Sequence, residues 1–101
     1  MDKTLKNTTS DGASKNVSDL SVWGNGDMFK LLSKAHSEKE GWMKSTKAME
    51  IEGYGCVVQV TTQQHDNIAE AITFIAGVKI EEEKKGGRVI ARKLVLMDLI
   101  N

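Results

Sequence analysis

The side chains that could bind a metal ion or act as a nucleophile are few, because the 101 residues include one cysteine and two histidines. Cys56, His36 and His65 show no CxxC or HxxxH spacing, so the sequence predicts no structural zinc site. Cys56 could attack a substrate with His65 as its base. However, nine positions of a predicted strand separate them, at about 3.3 Å each. We therefore interpret Cys56 as a small buried hydrophobic side chain.

Two groups of carboxylates have the chemistry for acid–base catalysis or cation binding. Glu50 and Glu52 share one face of a predicted strand, and residues 81–83 are all glutamate. Neither group lies in an Asp-rich loop, and charge runs commonly guard the edges of sheets. Gly24, Asn25 and Gly26 lack the further glycine and the Lys-Ser or Lys-Thr pair of a phosphate-binding loop. The sequence therefore predicts a protein that is not an enzyme and has no cofactor or metal site.

A helix is predicted over residues 27–39. Asp27 can accept hydrogen bonds from the amides of a first helical turn. The apolar residues at positions 28, 31, 32 and 35 form one stripe of a helix. Gly41 fits a stop at the carboxyl end of that helix.

Beyond Gly41 the apolar period changes from that of a helix to that of a strand. Strands are predicted at residues 43–52, 56–63 and 89–97, the second being rich in β-branched side chains. Residues 53–55 read Gly-Tyr-Gly and predict a tight turn, and Gly-Gly at 86 and 87 predicts a hairpin.

Residues 68–76 are compatible with two structures. Their periodicity favours a helix, whereas the run Ile-Thr-Phe-Ile favours a strand. We predict a strand, because the turn at residues 65–67 has hairpin length and the alternation continues into residues 78–81. Gly77 would then be a bulge in one long, bent strand.

These elements predict an α+β fold, in which one helix packs on a meandering antiparallel sheet of about four strands. The alternative, with residues 68–76 helical, is two helices with a three- to four-stranded sheet. Residues 1–21 are dominated by Ser, Thr, Asn, Asp and Lys and predict a disordered tail. Residues 22–101 would form the single domain.

Charge and cysteine content indicate the setting. Fourteen basic and fourteen acidic residues give a formal net charge of zero, whereas nucleic-acid-binding domains usually have a basic excess. A lone cysteine is typical of a reducing compartment. The sequence shows neither a secretory signal nor an apolar run long enough to cross a bilayer. We therefore predict a cytoplasmic protein without membrane contact.

Two stretches carry a resemblance to known proteins. The sequence GYGCVVQVTTQ at residues 53–63, continued to AGVKI at residues 76–80, resembles small uncharacterised proteins of tailed bacteriophages and prophages. This resemblance implies an accessory protein that acts in the cytoplasm of a bacterial host, for instance by binding a factor of a defence or replication system. It transfers no functional residues to this chain.

The leading functional hypothesis is a non-enzymatic protein that binds a host protein and can also form a homodimer. Acidic residues fill the middle of the chain and basic residues flank them, which suits docking by charge complementarity. Aromatic and aliphatic side chains dominate interface energies. The predicted contact residues are Trp23, Trp42, Tyr54, Leu96, Leu99 and Ile100.

The alternative hypothesis is nucleic-acid binding through basic clusters around residues 30–47 and 84–93. Lysines at 30, 34, 44 and 47 could follow phosphates while Trp42 stacks on a base. The second cluster consists of Lys84, Lys85, Arg88, Arg92 and Lys93.

Overall fold

The computed structural model describes residues 9–15 and 17–98, and antiparallel strands dominate its architecture. One sheet contains four strands in chain order, β1 (Lys30–Ser37), β2 (Trp42–Ile51), β3 (Gly55–Gln64) and β4 (Asn67–Ala76). A second, two-stranded sheet is the hairpin of β5 (Val78–Lys85) and β6 (Arg88–Leu96). Among the described residues the only helix is α1 (Ser10–Ser14). The fold is therefore mostly β, and both versions of the α+β prediction are wrong.

The predicted helix at residues 27–39 is replaced by strand β1. β1 pairs antiparallel with β2, and the pairing shifts between Leu31 and Ser33, so that Leu32 is an extra residue. Such a bulge interrupts the alternation of a strand, and here Leu32 packs against the buried cluster. Two adjacent leucines followed by Ala35 thus imitate the apolar spacing of a helix, while the ladder to β2 supplies the backbone hydrogen bonds.

The segment before β1 is held by Asp27. The Asp27 carboxylate accepts hydrogen bonds from the backbone N–H of Ser10 (2.7 Å) and from its hydroxyl (3.0 Å). The sequence predicts that Asp27 caps a helix starting at residue 27. In the structure, Asp27 instead contacts the first turn of α1. The side chain of Thr9 caps the same helix by accepting from Gly12 N–H at 2.9 Å. Residues 1–8, which complete the predicted tail, lie outside the described residues.

The strands predicted after Gly41 are confirmed, including the uncertain one at residues 68–76, which is β4. Only Gly77, at φ +75°, separates β4 from β5. This left-handed conformation is readily adopted by glycine, and it turns one continuous strand from the four-stranded sheet into the hairpin. The Gly77 N–H donates to Tyr54 O (2.9 Å), and Gly77 O accepts from Met97 N–H (2.8 Å). The bend is thus tied to the β2–β3 turn and to the end of β6.

The hairpin covers one face of the sheet. Paired residues of neighbouring strands point to the same side, so Ala48 and Val58, which pair, share a face with Cys56. We call this the hairpin face and the other the opposite face. All three residues are buried there. Partly buried side chains packed against them are Leu32, Val78, Ile80 and Leu94.

Two polar contacts fix the hairpin on the sheet. Glu50 of β2 accepts a hydrogen bond from the backbone N–H of Ile80 in β5 at 2.8 Å. Arg92 of β6 donates from Nη1 to Leu31 O at 3.1 Å, beside the bulge in β1. Each contact satisfies a backbone group of one sheet with a charged side chain of the other, and charge-assisted hydrogen bonds are the stronger kind.

We expect Gly55→Ala to destabilise the fold more than Gly53→Ala. A Cβ at Gly55 would overlap the carbonyl oxygen of Ile75 and lie 2.9 Å from the Cα of Ala76, so β3 and β4 would have to separate. Overpacking of this kind costs about 1–3 kcal/mol. Gly53 has φ +83° and open space around it, so alanine there costs only the left-handed backbone, about 1 kcal/mol. Urea unfolding of both variants measures the difference, and equal losses would contradict the steric explanation.

Candidate protein-binding site

Exposed apolar side chains gather where β4 bends into β5. Tyr54 is 72% exposed and Leu96 is 80% exposed. Phe74 and Ile75 are exposed on β4 just before the bend, and they point to different faces of the sheet, because Phe74 pairs with Val57 and Ile75 pairs with Cys56. Gly77 connects the four positions, since its N–H binds the Tyr54 carbonyl and the next residue, Val78, pairs with Leu96. We call Tyr54, Phe74, Ile75 and Leu96 the corner patch. These exposed aromatic and aliphatic side chains around one bend are a candidate protein-binding surface.

Local sequence explains how the corner patch is positioned. Tyr54 lies in the β2–β3 turn, where its N–H donates to Ile51 O at 2.9 Å. Gly55 follows, and its missing side chain leaves room for the ring of Phe74, since a Cβ there would lie 3.0 Å from Phe74 Cζ. Phe74 and Ile75 were not among the predicted contact residues. The apolar character of both faces of β4 was the available signal.

The rim of the corner patch is acidic. Glu52 precedes Tyr54 in the same turn and Asp98 follows Leu96 by two residues, and both are exposed. Lys79, next to the bend, is half-buried. A complementary surface would therefore combine an apolar centre with basic side chains around it.

The other predicted contact residues lie elsewhere. Trp23 is 96% exposed in the segment between α1 and β1. Trp42 begins β2 and is half-buried, with the Lys44 ammonium 5.8 Å from the centre of its ring. Trp42 and Lys44 line an open hollow of about 500 Å³ on the hairpin face. Leu99 and Ile100 lie outside the described residues. Of the predicted contact residues in the described part of the chain, the structure brings together Tyr54 and Leu96.

The two basic clusters do not form continuous patches. In the register of β1 and β2, Lys30 and Lys44 point to the hairpin face, whereas Lys34 and Lys47 point to the opposite face. The Lys44 ammonium lies over the Trp42 ring, on which a nucleobase would have to stack. In the second cluster, three exposed cations lie near the tip of the hairpin, at Lys84, Lys85 and Arg88.

Arg92 and Lys93 face the acidic residues of the neighbouring strand. Arg92 Nε lies 2.8 Å from Glu82 Oε2, and Lys93 Nζ lies 3.6 Å from Glu81 Oε1. The hydrogen bond from Arg92 lowers the pKa of Glu82, assisted by the positive charges of Arg92, Lys84 and Lys30. Two glutamates of the acidic run therefore pair with two cations of the basic cluster across the hairpin, although the two groups are separate in the sequence.

The residues considered for nucleophilic chemistry are far apart. Cys56 lies near the start of β3 and His65 just beyond its end, so the two cannot form a hydrogen-bonded pair. Cys56 is fully buried and its Sγ donates to Val78 O at 3.6 Å. Burial raises the pKa of the Cys56 thiol, and the negative charge of Glu50 raises it further. The Glu50 carboxylate accepts a hydrogen bond from the backbone N–H of Ile80.

Residues 9–15 and 17–98 contain neither a cluster of metal ligands nor a membrane-spanning helix. Nowhere in these ranges do three His, Cys, Asp or Glu side chains come close enough to hold a metal ion. The same part of the chain contains no helix with the length and apolar character needed to span a membrane.

The fold and surface define a small, mostly β protein in which a four-stranded antiparallel sheet carries a hairpin on one face and an exposed apolar corner beside it. Residues 1–91 match the sequence model of the Lockin family. Because this match covers most of the 101 residues, the chain belongs to the Lockin family. Comparison with curated proteins and with solved structures gives no match.

We expect Glu82→Gln to remove a pH-dependent part of the stability. The folded-state pKa of Glu82 lies below its usual value of 4.5. The stability that the ionised Glu82 carboxylate contributes is therefore present above pH 4.5 and is lost as the pH falls through the lowered pKa. The difference in unfolding free energy between wild type and variant should therefore be constant at neutral and mildly acidic pH and shrink below about pH 4.5. Glu83→Gln is the control, since Glu83 faces Ala91, and a matching pH profile for it would contradict the role of Arg92.

We expect Cys56 to react slowly with a thiol reagent at neutral pH while the protein is folded. The thiol is buried and its pKa is raised, so both access and thiolate content are reduced. Ala91→Cys provides an exposed thiol on β6 as the internal standard. In the folded protein, Cys56 should react at least about a hundredfold more slowly than the thiol introduced by Ala91→Cys. In denaturant the two thiols should react at similar rates. Equal rates in the folded protein would show that Cys56 is accessible.

Proposed function

We propose that this protein is a non-enzymatic accessory protein that binds a protein of a bacterial host in the cytoplasm. Inhibition of a defence or replication factor is the action implied by the resemblance to small phage and prophage proteins. The corner patch is the observation that supports protein binding, because it leaves Tyr54 and Leu96 largely in water.

The energetics of the corner patch favour a protein as its ligand. A partner that buries large apolar side chains gains binding free energy of about 25 cal/mol per Å² of apolar surface removed from water. Aromatic residues with a polar atom, such as Tyr54, are enriched among the residues that dominate binding. The corner patch is part of an open surface at a turn and a strand end, and flat or convex surfaces suit protein partners better than small molecules.

The charges around the corner patch specify the chemistry of the partner. Glu52 and Asp98 flank the exposed Tyr54 and Leu96, so the partner's surface should present Lys or Arg around an apolar centre. Rim charges of this kind mainly increase the association rate and its dependence on salt. We therefore expect binding to be faster at low ionic strength.

We expect the double variant Tyr54→Ala/Leu96→Ala to lose binding while remaining folded. Affinity purification from a bacterial lysate with the full chain identifies a candidate partner, and titration with that purified partner gives Kd. Truncating two central contacts should cost about 2 kcal/mol or more, which is about thirtyfold in Kd. The matched control is Val89→Ala/Ile90→Ala, two exposed aliphatic residues of β6 away from the corner.

Two outcomes would contradict this proposal. If the double variant Tyr54→Ala/Leu96→Ala bound the partner with unchanged Kd, the corner patch would not be part of the interface. An equal loss in the control variant would show that the effect is not local. Circular dichroism and thermal unfolding of all three proteins establish that the strands are retained.

A further inference from the structure

Strand β4 has an open edge. It pairs with β3 on one side, and on the other side no strand of the described chain pairs with it. All ten residues of β4 are exposed, on both faces of the sheet. Natural proteins protect such edges with lysine, proline or bulges, since an unpaired edge is a template for another strand. β4 has none of these, and Glu70 is its single charged residue.

The other edge of the same sheet is protected. β1 contains Lys30 and Lys34 and a bulge at Leu32. The carbonyl of Leu31, beside that bulge, accepts a hydrogen bond from Arg92. One edge of the sheet therefore resists the addition of a strand, whereas the other has Glu70 as its single protecting charge.

We propose that β4 pairs antiparallel with β4 of a second copy of this chain, with Ala71 of each copy meeting at a two-fold axis. Residues 67–75 of one copy then lie opposite residues 75–67 of the other. A two-fold axis perpendicular to the sheet keeps paired residues on the same face, so residues of equal parity must pair. This surface shares Phe74 and Ile75 with the corner patch but does not include Tyr54 or Leu96, and the inference does not depend on the proposed function.

The side chains of β4 are complementary to themselves in this register. Ile68 of each copy lies opposite Phe74 of the other, giving two pairs of an aliphatic with an aromatic side chain, which is a favourable cross-strand combination. Glu70 lies opposite Ile72. A register centred on Glu70 would instead place two like charges directly opposite each other, which is unfavourable.

A second copy is the partner that the composition of β4 favours. A strand added to this edge gains most if it is apolar and nearly uncharged, and β4 is itself such a strand. Pairing two copies makes a continuous sheet of eight strands whose outer edges are both β1. Because β1 is protected by lysines and a bulge, the assembly closes as a dimer and does not extend into a fibre.

The first test is the molar mass in solution. Size-exclusion chromatography with light scattering on the full chain should give twice the chain mass of 11.1 kDa. Ala71→Lys places two ammonium groups at the two-fold axis, and we expect a monomer at concentrations at which the wild type is a dimer. Ala91→Lys adds the same charge to exposed β6 and should remain a dimer. A monomeric wild type at all concentrations, or a dimeric Ala71→Lys, would overturn the proposal.

The second test reports the register. Cysteines opposite each other across an antiparallel pair have Cβ atoms about 4.5–5.5 Å apart, so Ala71→Cys should form an intermolecular disulfide under mild oxidation. Ala69→Cys, on the same face of the same strand, would lie four positions from its symmetry mate, about 13 Å away, and should cross-link at least tenfold more slowly. Cys56 is buried, so it should not form disulfides while the protein is folded. Equal cross-linking at 69 and 71, or none at 71, would overturn this register.

Discussion

The bend at Gly77 is the constraint on which the rest of the structure depends. One strand serves two sheets, as β4 before the bend and as β5 after it. Because the backbone turns here with a positive φ and is bonded on both sides, to Tyr54 and to Met97, the hairpin is carried back over β1, β2 and β3. Without that turn the residues of the hairpin face would have nothing to cover them.

The core that results is thin, and this has consequences for the surface. Among the described residues, the buried apolar side chains on the hairpin face are Ala48, Cys56 and Val58, and Met43 is buried on the opposite face. Charged side chains that bind backbone groups, from Glu50 to Ile80 and from Arg92 to Leu31, therefore contribute to the orientation of the hairpin. Since the hairpin does not cover β4, the apolar residues of that strand remain in water. A small core and exposed apolar surface are thus two results of the same topology.

The distribution of charge illustrates how pairing changes a pattern in the sequence. Three consecutive glutamates and a group of Arg and Lys residues are separate blocks along the chain. The hairpin turn at residues 86 and 87 folds one block onto the other, so that Glu82 faces Arg92 and Glu81 faces Lys93. The lysines of β1 and β2 are divided between two faces by the register of the sheet. In both cases the distribution of charge on the surface depends on which strands pair and in which register.

The strands after Gly41 followed from the order of residue types alone, because alternation and glycine turns are local properties of the backbone. That is why β2, β3 and β6 were predictable, and why β4 could be preferred as a strand. The bulge predicted at Gly77 is instead a turn between strands of two different sheets. The identity of β1 was not predictable, since the spacing of Leu31, Leu32 and Ala35 satisfies a helix as well as a bulged strand. Its hydrogen bonds come from β2, and no local pattern specifies a distant ladder. The meeting of Tyr54 and Leu96 at one corner, and the exposure of β4, likewise arose from contacts between residues far apart in the chain.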